Sequence, residues 1–258
     1  MMPVIDADEI GRAHHLSAGD AWKQGHLRAL DYLVRRESFC IETTLAGRDL
    51  ATPSTYLRMM QEAKDLGYRV ELFFLGAGEP QRHIERVEER VALGLHDIPR
   101  DVIVRKHHAS MARLPRALEL ADRAVLVDNA APPIMGPDGA RAFEQVLERN
   151  QGRLAFIAGD IPEWASRALG ASLPALLQRD RVLVEQQARN LLGPVARKIE
   201  PVPGARGQII VIGAAFAAVS TAATTFCVGS RRGLDPPKMG ATVAFSETGL
   251  VLPLEPHG

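Results

Sequence analysis

The sequence of 258 residues is poor in several things. It has two cysteines, Cys40 and Cys227, far apart and flanked by apolar residues. Such cysteines point to reduced, buried thiols in a cytoplasmic protein rather than to a disulfide framework. No Cys/His spacing resembles a zinc site. The adjacent pairs His14-His15 and His107-His108 would point about 100° apart on a helix, so they chelate poorly, and no metal site is expected from the chain's own ligands. There is no excess of either charge: 31 Lys and Arg balance 31 Asp and Glu. That argues against a dedicated nucleic-acid binder. No run reaches the ~18 apolar residues of a membrane span. The apolar segment 209–223 is interrupted by Gly213, Ser220 and Thr221 and reads as two strands. No signal peptide is expected, because the chain enters Val4-Ile5-Asp6 without a basic region. No internal repeat or low-complexity tract is visible.

What is present is enough apolar sequence, 46% of residues, for one core with an appendage, since single cores stop growing near ~250 residues. The periodicity predicts an α/β alternation with short connections. Strands are expected at 3–6, 39–41, 69–75 and 124–129. Helices are expected at 20–37, at 54–66 ended by Gly67, and at 80–93 ended by Gly94. A further helix over 100–121 should break into two pieces at Pro115. The segment 130–139 is a linker by composition, 140–150 looks helical and 153–158 could be a short strand. A helix over 162–192, broken near 170–174, leads to a second Pro/Gly-rich linker at 193–207. From 208 the texture turns β-branched: strands at 208–213, 216–221 and 224–228, then a hairpin of 241–245 with 250–254.

One stretch organises the first half. Ser38-Phe39-Cys40-Ile41 reads as a buried strand, and it breaks at once into Glu42-Thr43-Thr44-Leu45-Ala46-Gly47-Arg48. Acid and hydroxyls at the C-terminal end of a strand lie where open α/β sheets bind ligands. Val4-Ile5-Asp6-Ala7-Asp8 is a second such exit, and Val70–Leu75 followed by Gly76 and Gly78 is a third. Three polar strand ends suggest one cleft; taken singly, Asp8 and Glu42 could be no more than helix caps or loop polars.

These motifs, in this order, resemble the zeta-toxin-like family of P-loop kinases. Val4-Ile5-Asp6-Ala7-Asp8-Glu9-Ile10 resembles the family's aspartate-bearing second strand. Glu37–Arg48 resembles its ETTL-x-G-R segment. Glu85-Arg86-Val87 with Arg90, then Gly94-Leu95-His96-Asp97-Ile98-Pro99, resembles the arginine-bearing lid. Leu114-Pro115 and Val127-Asp128-Asn129 complete the pattern, which covers about half the chain. The resemblance implies a mostly parallel P-loop-kinase-like sheet flanked by helices, lacking its first strand. It implies ATP and Mg²⁺ as cofactors and a small-molecule acceptor such as a nucleotide sugar. Asp8 would be the base, Arg86 and Arg90 catalytic cations, Glu42, Thr44 and Arg48 acceptor contacts, and Arg105 a contact to ATP. For each arginine the alternative is a solvated helix face paired with nearby acids. His96 lies in the same turn. An antitoxin-like protein is a possible partner.

The family's phosphate loop, G-x-x-x-x-G-K-[ST], is not supplied by any lysine of the sequence; Lys238 lacks both the second glycine and the following hydroxyl. An impaired kinase is therefore expected, with a non-catalytic ligand- or partner-binding relic as the alternative. The tail weakly resembles small β domains of conjugative-plasmid proteins, which would make it an adaptor acting through a barrel-like module. The expected division is a kinase core over 1–150, a helical extension over 151–194 and a small β domain over 195–258.

Overall fold

The computed structural model describes residues 2–46, 54–92, 97–129, 134–135, 141–231 and 238–254. The elements run in the order β1 (Val4–Ile5), α1 (Ala7–His14), α2 (Ala18–Arg35), β2 (Cys40–Ile41), α3 (Thr55–Asp65), β3 (Glu71–Gly76), α4 (Pro80–Ala92) and α5 (Arg100–Leu120). Then come β4 (Arg123–Asp128), β5 (Ile134–Met135), β6 (Arg141–Ala142), β7 (Glu144–Asn150), β8 (Arg153–Ile157), α6 (Glu163–Leu169) and α7 (Ser172–Leu192). The chain closes with β9 (Arg197–Lys198), β10 (Arg206–Ile212), β11 (Phe216–Ala222), β12 (Thr225–Ser230), β13 (Thr242–Phe245) and β14 (Val251–Pro253). The protein is mixed α/β, as its alternating pattern implies. It divides into two compact units, Met1–Val70 with Ile84–Ala121, and Glu71–His83 with Asp122–Gly258. Residue 150 is the last of β7, at its hairpin with β8.

In the first unit β1 and β2 form a two-stranded parallel sheet, with Val4 opposite Cys40 and Ile5 opposite Ile41. Ile5, Ile10, Ala21, Ala29, Leu33, Met59 and Ala63 bury together around it, joined by Phe39, Ile41, Tyr68 and Val70. Cys40 points away from this cluster and is exposed, contrary to the buried thiol expected from its apolar neighbours. Strand alternation explains it: Phe39 and Ile41 take the core face, so Cys40 takes the other. Helix α2 begins at Ser17, whose hydroxyl accepts from the Asp20 amide at 3.2 Å and donates to its carboxylate at 2.6 Å. This reciprocal bond is a capping device. Gly67, at φ +84°, follows α3, where the chain must take a left-handed conformation. Tyr68 Oη then donates to the Tyr32 carbonyl at 3.0 Å, tying the exit of α3 to the end of α2.

The second unit holds a mixed sheet. β3 and β4 are parallel, but β4 continues into antiparallel β7 and β8, giving the order β3-β4-β7-β8. Segment 140–150, expected as a helix, is therefore largely strand. Its residue types favour helix locally, yet Val146 and Leu147 become 2% and 1% exposed only by joining the sheet. The turn Gln151-Gly152, with φ of +47° and +80°, closes the hairpin with both central residues left-handed. Residues 125–127 lie inside the sheet because β4 has a partner on each side. Helix α5 also runs through Pro115 without breaking. Leu114, Ala117 and Leu118 are 0%, 0% and 3% exposed, and this packing holds the turn that proline weakens.

The strands from β9 onward form a second sheet in the order β14-β13-β10-β11-β12-β9. The hairpin of β13 and β14 and the strands β10 to β12 match the β texture of the tail. One face buries Ile209, Ala217, Val219, Cys227, Val243, Phe245 and Val251. The other packs Val211, Ala218, Phe226 and Val228 against Val184 and Ala188 of α7. Ile209 and Val211 should share a face, but the register shift between them sends each to a different one. Burial pushes the Cys227 thiol above its usual range. An isolated bridge joins Ser230 to Leu250, while the six named strands remain an open sheet.

Candidate functional site

The parallel register of β1 and β2 puts their C-terminal ends side by side, because Ile5 opposes Ile41 and neighbouring strands lie about 4.8 Å apart. The Glu42 amide extends the ladder by donating to the Ile5 carbonyl at 3.0 Å. Asp6-Ala7-Asp8 and Glu42-Thr43-Thr44 therefore leave the sheet at the same end.

Each exit has its own local logic. Asp6 caps α1, its carboxylate accepting from the Asp8 amide at 2.8 Å. Asp8 is exposed in the first turn of that helix, where its charge also suits the helix dipole. After β2 the chain turns sharply. Thr43 Oγ1 accepts from the Leu45 amide at 3.2 Å, and Thr44 Oγ1 accepts from the Ala46 amide at 3.4 Å. A hydroxyl that accepts one bond still has its own hydrogen to donate. Glu42 and Thr44 are exposed, Thr43 is half-buried, and Leu45 and Ala46 are buried. The turn presents carboxylate acceptors and hydroxyl donors outward while its apolar residues anchor it.

Two side chains that the sequence reading missed hold that turn. The Leu45 carbonyl accepts from Ser54 Oγ at 3.1 Å and from Arg113 Nη1 of α5 at 3.2 Å. Ser54 is 2% exposed and Arg113 7% exposed. A sequence signal existed for Arg113. It lies four residues after Ala109 and four before Ala117, both buried, so it interrupts a helix's inward row with a cation.

The other expected site residues are spread more widely. Arg86 is half-buried and Arg90 exposed, both on α4. Arg105 is exposed on α5 and paired within its own helix to Asp101 at 3.6 Å, which is the solvated-face arrangement. Arg48 and His96 lie outside the described residues. The third strand end, at Gly76, belongs to the β3-β4-β7-β8 sheet, so the three exits do not share a sheet. There Gly76 serves packing: a Cβ would fall 2.2 Å from the Trp164 ring, whose Nε1 donates to Asp128 Oδ1 at 3.0 Å. A groove of about 320 Å³ beside α4 and the start of α5 is lined by Ile84, Val87, Val91, Ile98 and Ile103 with Arg100. Asp8, Glu42 and Thr44 are not among its walls.

The N-terminus of α1 does not suit the phosphates of ATP. The helix that opens after β1 carries Asp6, Asp8 and Glu9 at its N-terminus, and carboxylates there repel the anion that a helix N-terminus would otherwise attract. Among the described residues no group of three or more His, Cys, Asp or Glu could hold a metal ion, and no helix is long and apolar enough to cross a membrane. No known family model, curated protein or solved structure matches the chain. The resemblance to the zeta-toxin-like kinases rests on the motifs alone.

Proposed function

We propose that the first unit is the acceptor-binding half of a zeta-toxin-like phosphotransferase, recognising a small hydroxylated metabolite such as a nucleotide sugar. The observation that carries this reading is the pairing of the β1 and β2 exits, with Asp8 and Glu42 exposed at one end of a parallel pair. A sugar hydroxyl donates to a carboxylate and accepts from a threonine hydroxyl, and this end of the sheet offers both kinds of group. Asp8 would accept or orient the proton of the acceptor hydroxyl. Glu42 and Thr44 would hold neighbouring hydroxyls. Arg86, Arg90, Arg48 and Arg105 stay in the proposal by resemblance, as cations near an anionic ligand. The finer fold, a P-loop-kinase-like core with a barrel-like tail, is supported by the β1–β2 pair with its flanking helices and by the Ser230–Leu250 bridge across the tail strands.

The sequence contains no G-x-x-x-x-G-K-[ST] loop of the kind that holds the phosphoryl donor. A second reading is a binder of the same acceptor without turnover. The test is calorimetric titration of the chain with UDP-glucose, GDP-mannose and ATP–Mg²⁺. A nucleotide sugar should bind, and Asp8→Asn and Glu42→Gln should weaken it about tenfold or more. ATP–Mg²⁺ should bind only near millimolar, about −4 kcal/mol. Sugar binding untouched by both substitutions would remove the proposed site. Micromolar ATP binding would show that a phosphate cradle exists elsewhere in the chain.

A further inference from the structure

One carbonyl of the turn after β2 receives two side-chain donors. Leu45 stands at φ +59°, a left-handed conformation that a non-glycine residue adopts at a cost. Its carbonyl receives both Ser54 Oγ and Arg113 Nη1. The amides on either side of that carbonyl, Leu45 and Ala46, are bonded to the hydroxyls of Thr43 and Thr44. The two donors, the strained residue and the two threonines form one connected unit, and its long-range anchor is a buried cation 68 residues away in sequence. A buried guanidinium is costly to desolvate, so a sequence that needed only a packed helix would place an aliphatic residue between Ala109 and Ala117. Arg113 is buried, and it donates to the backbone of the turn.

We propose that Arg113 is the positioning residue of this turn. By holding the Leu45 carbonyl it fixes Thr43 and Thr44, and with them Glu42, in the pose that meets a hydroxylated ligand. The inference rests on the reading of the turn as an acceptor site, but its structural half can be tested without any ligand. Arg113 touches no ligand itself; it acts through the backbone.

The experiment is amide hydrogen exchange read by NMR on the full chain, together with calorimetric titration of UDP-glucose and GDP-mannose. In Arg113→Met the Leu45 and Ala46 amides should exchange at least about tenfold faster, with core amides of α2 unchanged. The affinity for the bound nucleotide sugar should fall by about the same factor. Arg113→Lys, which keeps the charge and one donor, should recover part of both effects. Arg116→Met, on the same helix but exposed and paired with Glu119 at 2.8 Å, should change neither. If Arg113→Met does not fold, Ser54→Ala removes the other donor to the same carbonyl and should raise exchange selectively at residues 45 and 46. Unchanged exchange at those amides overturns the proposal whatever the titration shows, and so does faster exchange with undiminished sugar binding. Faster exchange in a protein whose wild type binds neither sugar leaves Arg113 as the anchor of the turn and overturns the acceptor reading instead.

Discussion

Two turns in this protein, one in each unit, are bonded by a buried charged side chain reaching from a helix. In the first unit Arg113 of α5 donates to the Leu45 carbonyl. In the second, Asp180 of α7 accepts from the amides of Ala214, Ala215 and Phe216, at 3.1, 2.9 and 3.2 Å. The two arise alike in sequence. Arg113 interrupts the row Ala109, Ala117, and Asp180 interrupts the row Leu176, Val184, Ala188, every member being buried. They differ in what surrounds the turn. Asp180 satisfies three donors between β10 and β11, where Ala214 and Ala215 are 8% and 0% exposed. Gly213 fits there because a Cβ would fall 2.5 Å from Val184 and 2.8 Å from the Asp180 carboxylate. Arg231 adds a bond to the Gly213 carbonyl, and burial pushes its guanidinium below the usual range, opposed by the charge of Asp180. Nothing polar at that turn faces outward for use. The Arg113 turn leaves Glu42 and Thr44 exposed. One buried charge closes a turn of small and apolar residues; the other bonds a turn whose carboxylate and hydroxyl are exposed.

The contrast can be broken or sharpened by substitution, beginning with the largest expected effect. Asp180→Ala strands three buried amides and should destabilise the second unit by about 3–4 kcal/mol, seen in urea unfolding; a loss below about 1 kcal/mol would mean the turn is not held as described. Gly76→Ala drives a methyl group into the Trp164 ring and should cost about 2–3 kcal/mol, with a shifted tryptophan emission as the local readout. Arg113→Met should cost less, about 1–3 kcal/mol. Its effect should concentrate at residues 42–46 instead of spreading through the unit.

Smaller still is Glu185→Gln. Glu185 receives Lys198 at 2.8 Å and Arg189 at 3.0 Å. The Lys198 bond leads the causes that hold its carboxyl below the usual range. A depressed folded-state value means the stabilisation is complete above the unfolded value of about 4.3 and is lost as pH falls through the folded one. The substitution should therefore cost about 1 kcal/mol at neutral pH and nothing measurable in strong acid. A difference that persisted at low pH would point to packing in place of charge. At the bottom of the scale, Arg105→Ala should leave stability within about 0.5 kcal/mol of wild type, because its partner Asp101 is exposed on the same helix.

Much of the architecture was legible because it depends on local chemistry. Gly67 after α3 and the hydrophobic spacing of α2 and α7 specify their elements through contacts within a few residues. The β texture after 208 did the same for the tail. The misreadings were of another kind. Segment 140–150 carries helix-forming residues and becomes strand because β4 offers it an edge. Cys40 sits among apolar neighbours and is exposed because strand alternation turns it outward. Pro115 leaves its helix whole because the turn beneath it is buried.

The site divides along the same line. Which groups stand at the ends of β1 and β2 (Asp6, Asp8, Glu42, Thr43, Thr44) is written in order along the chain, since a strand's last residues and its exit are consecutive. That these two exits lie together while the exit at Gly76 belongs to another sheet is a matter of strand pairing between segments far apart in sequence. The same holds for Arg113 and Asp180: their helices could be read from spacing, but the backbone each one grips lies tens of residues away. Local propensity and periodicity set the elements; only the burial of charge against a distant turn decided what those elements hold in place.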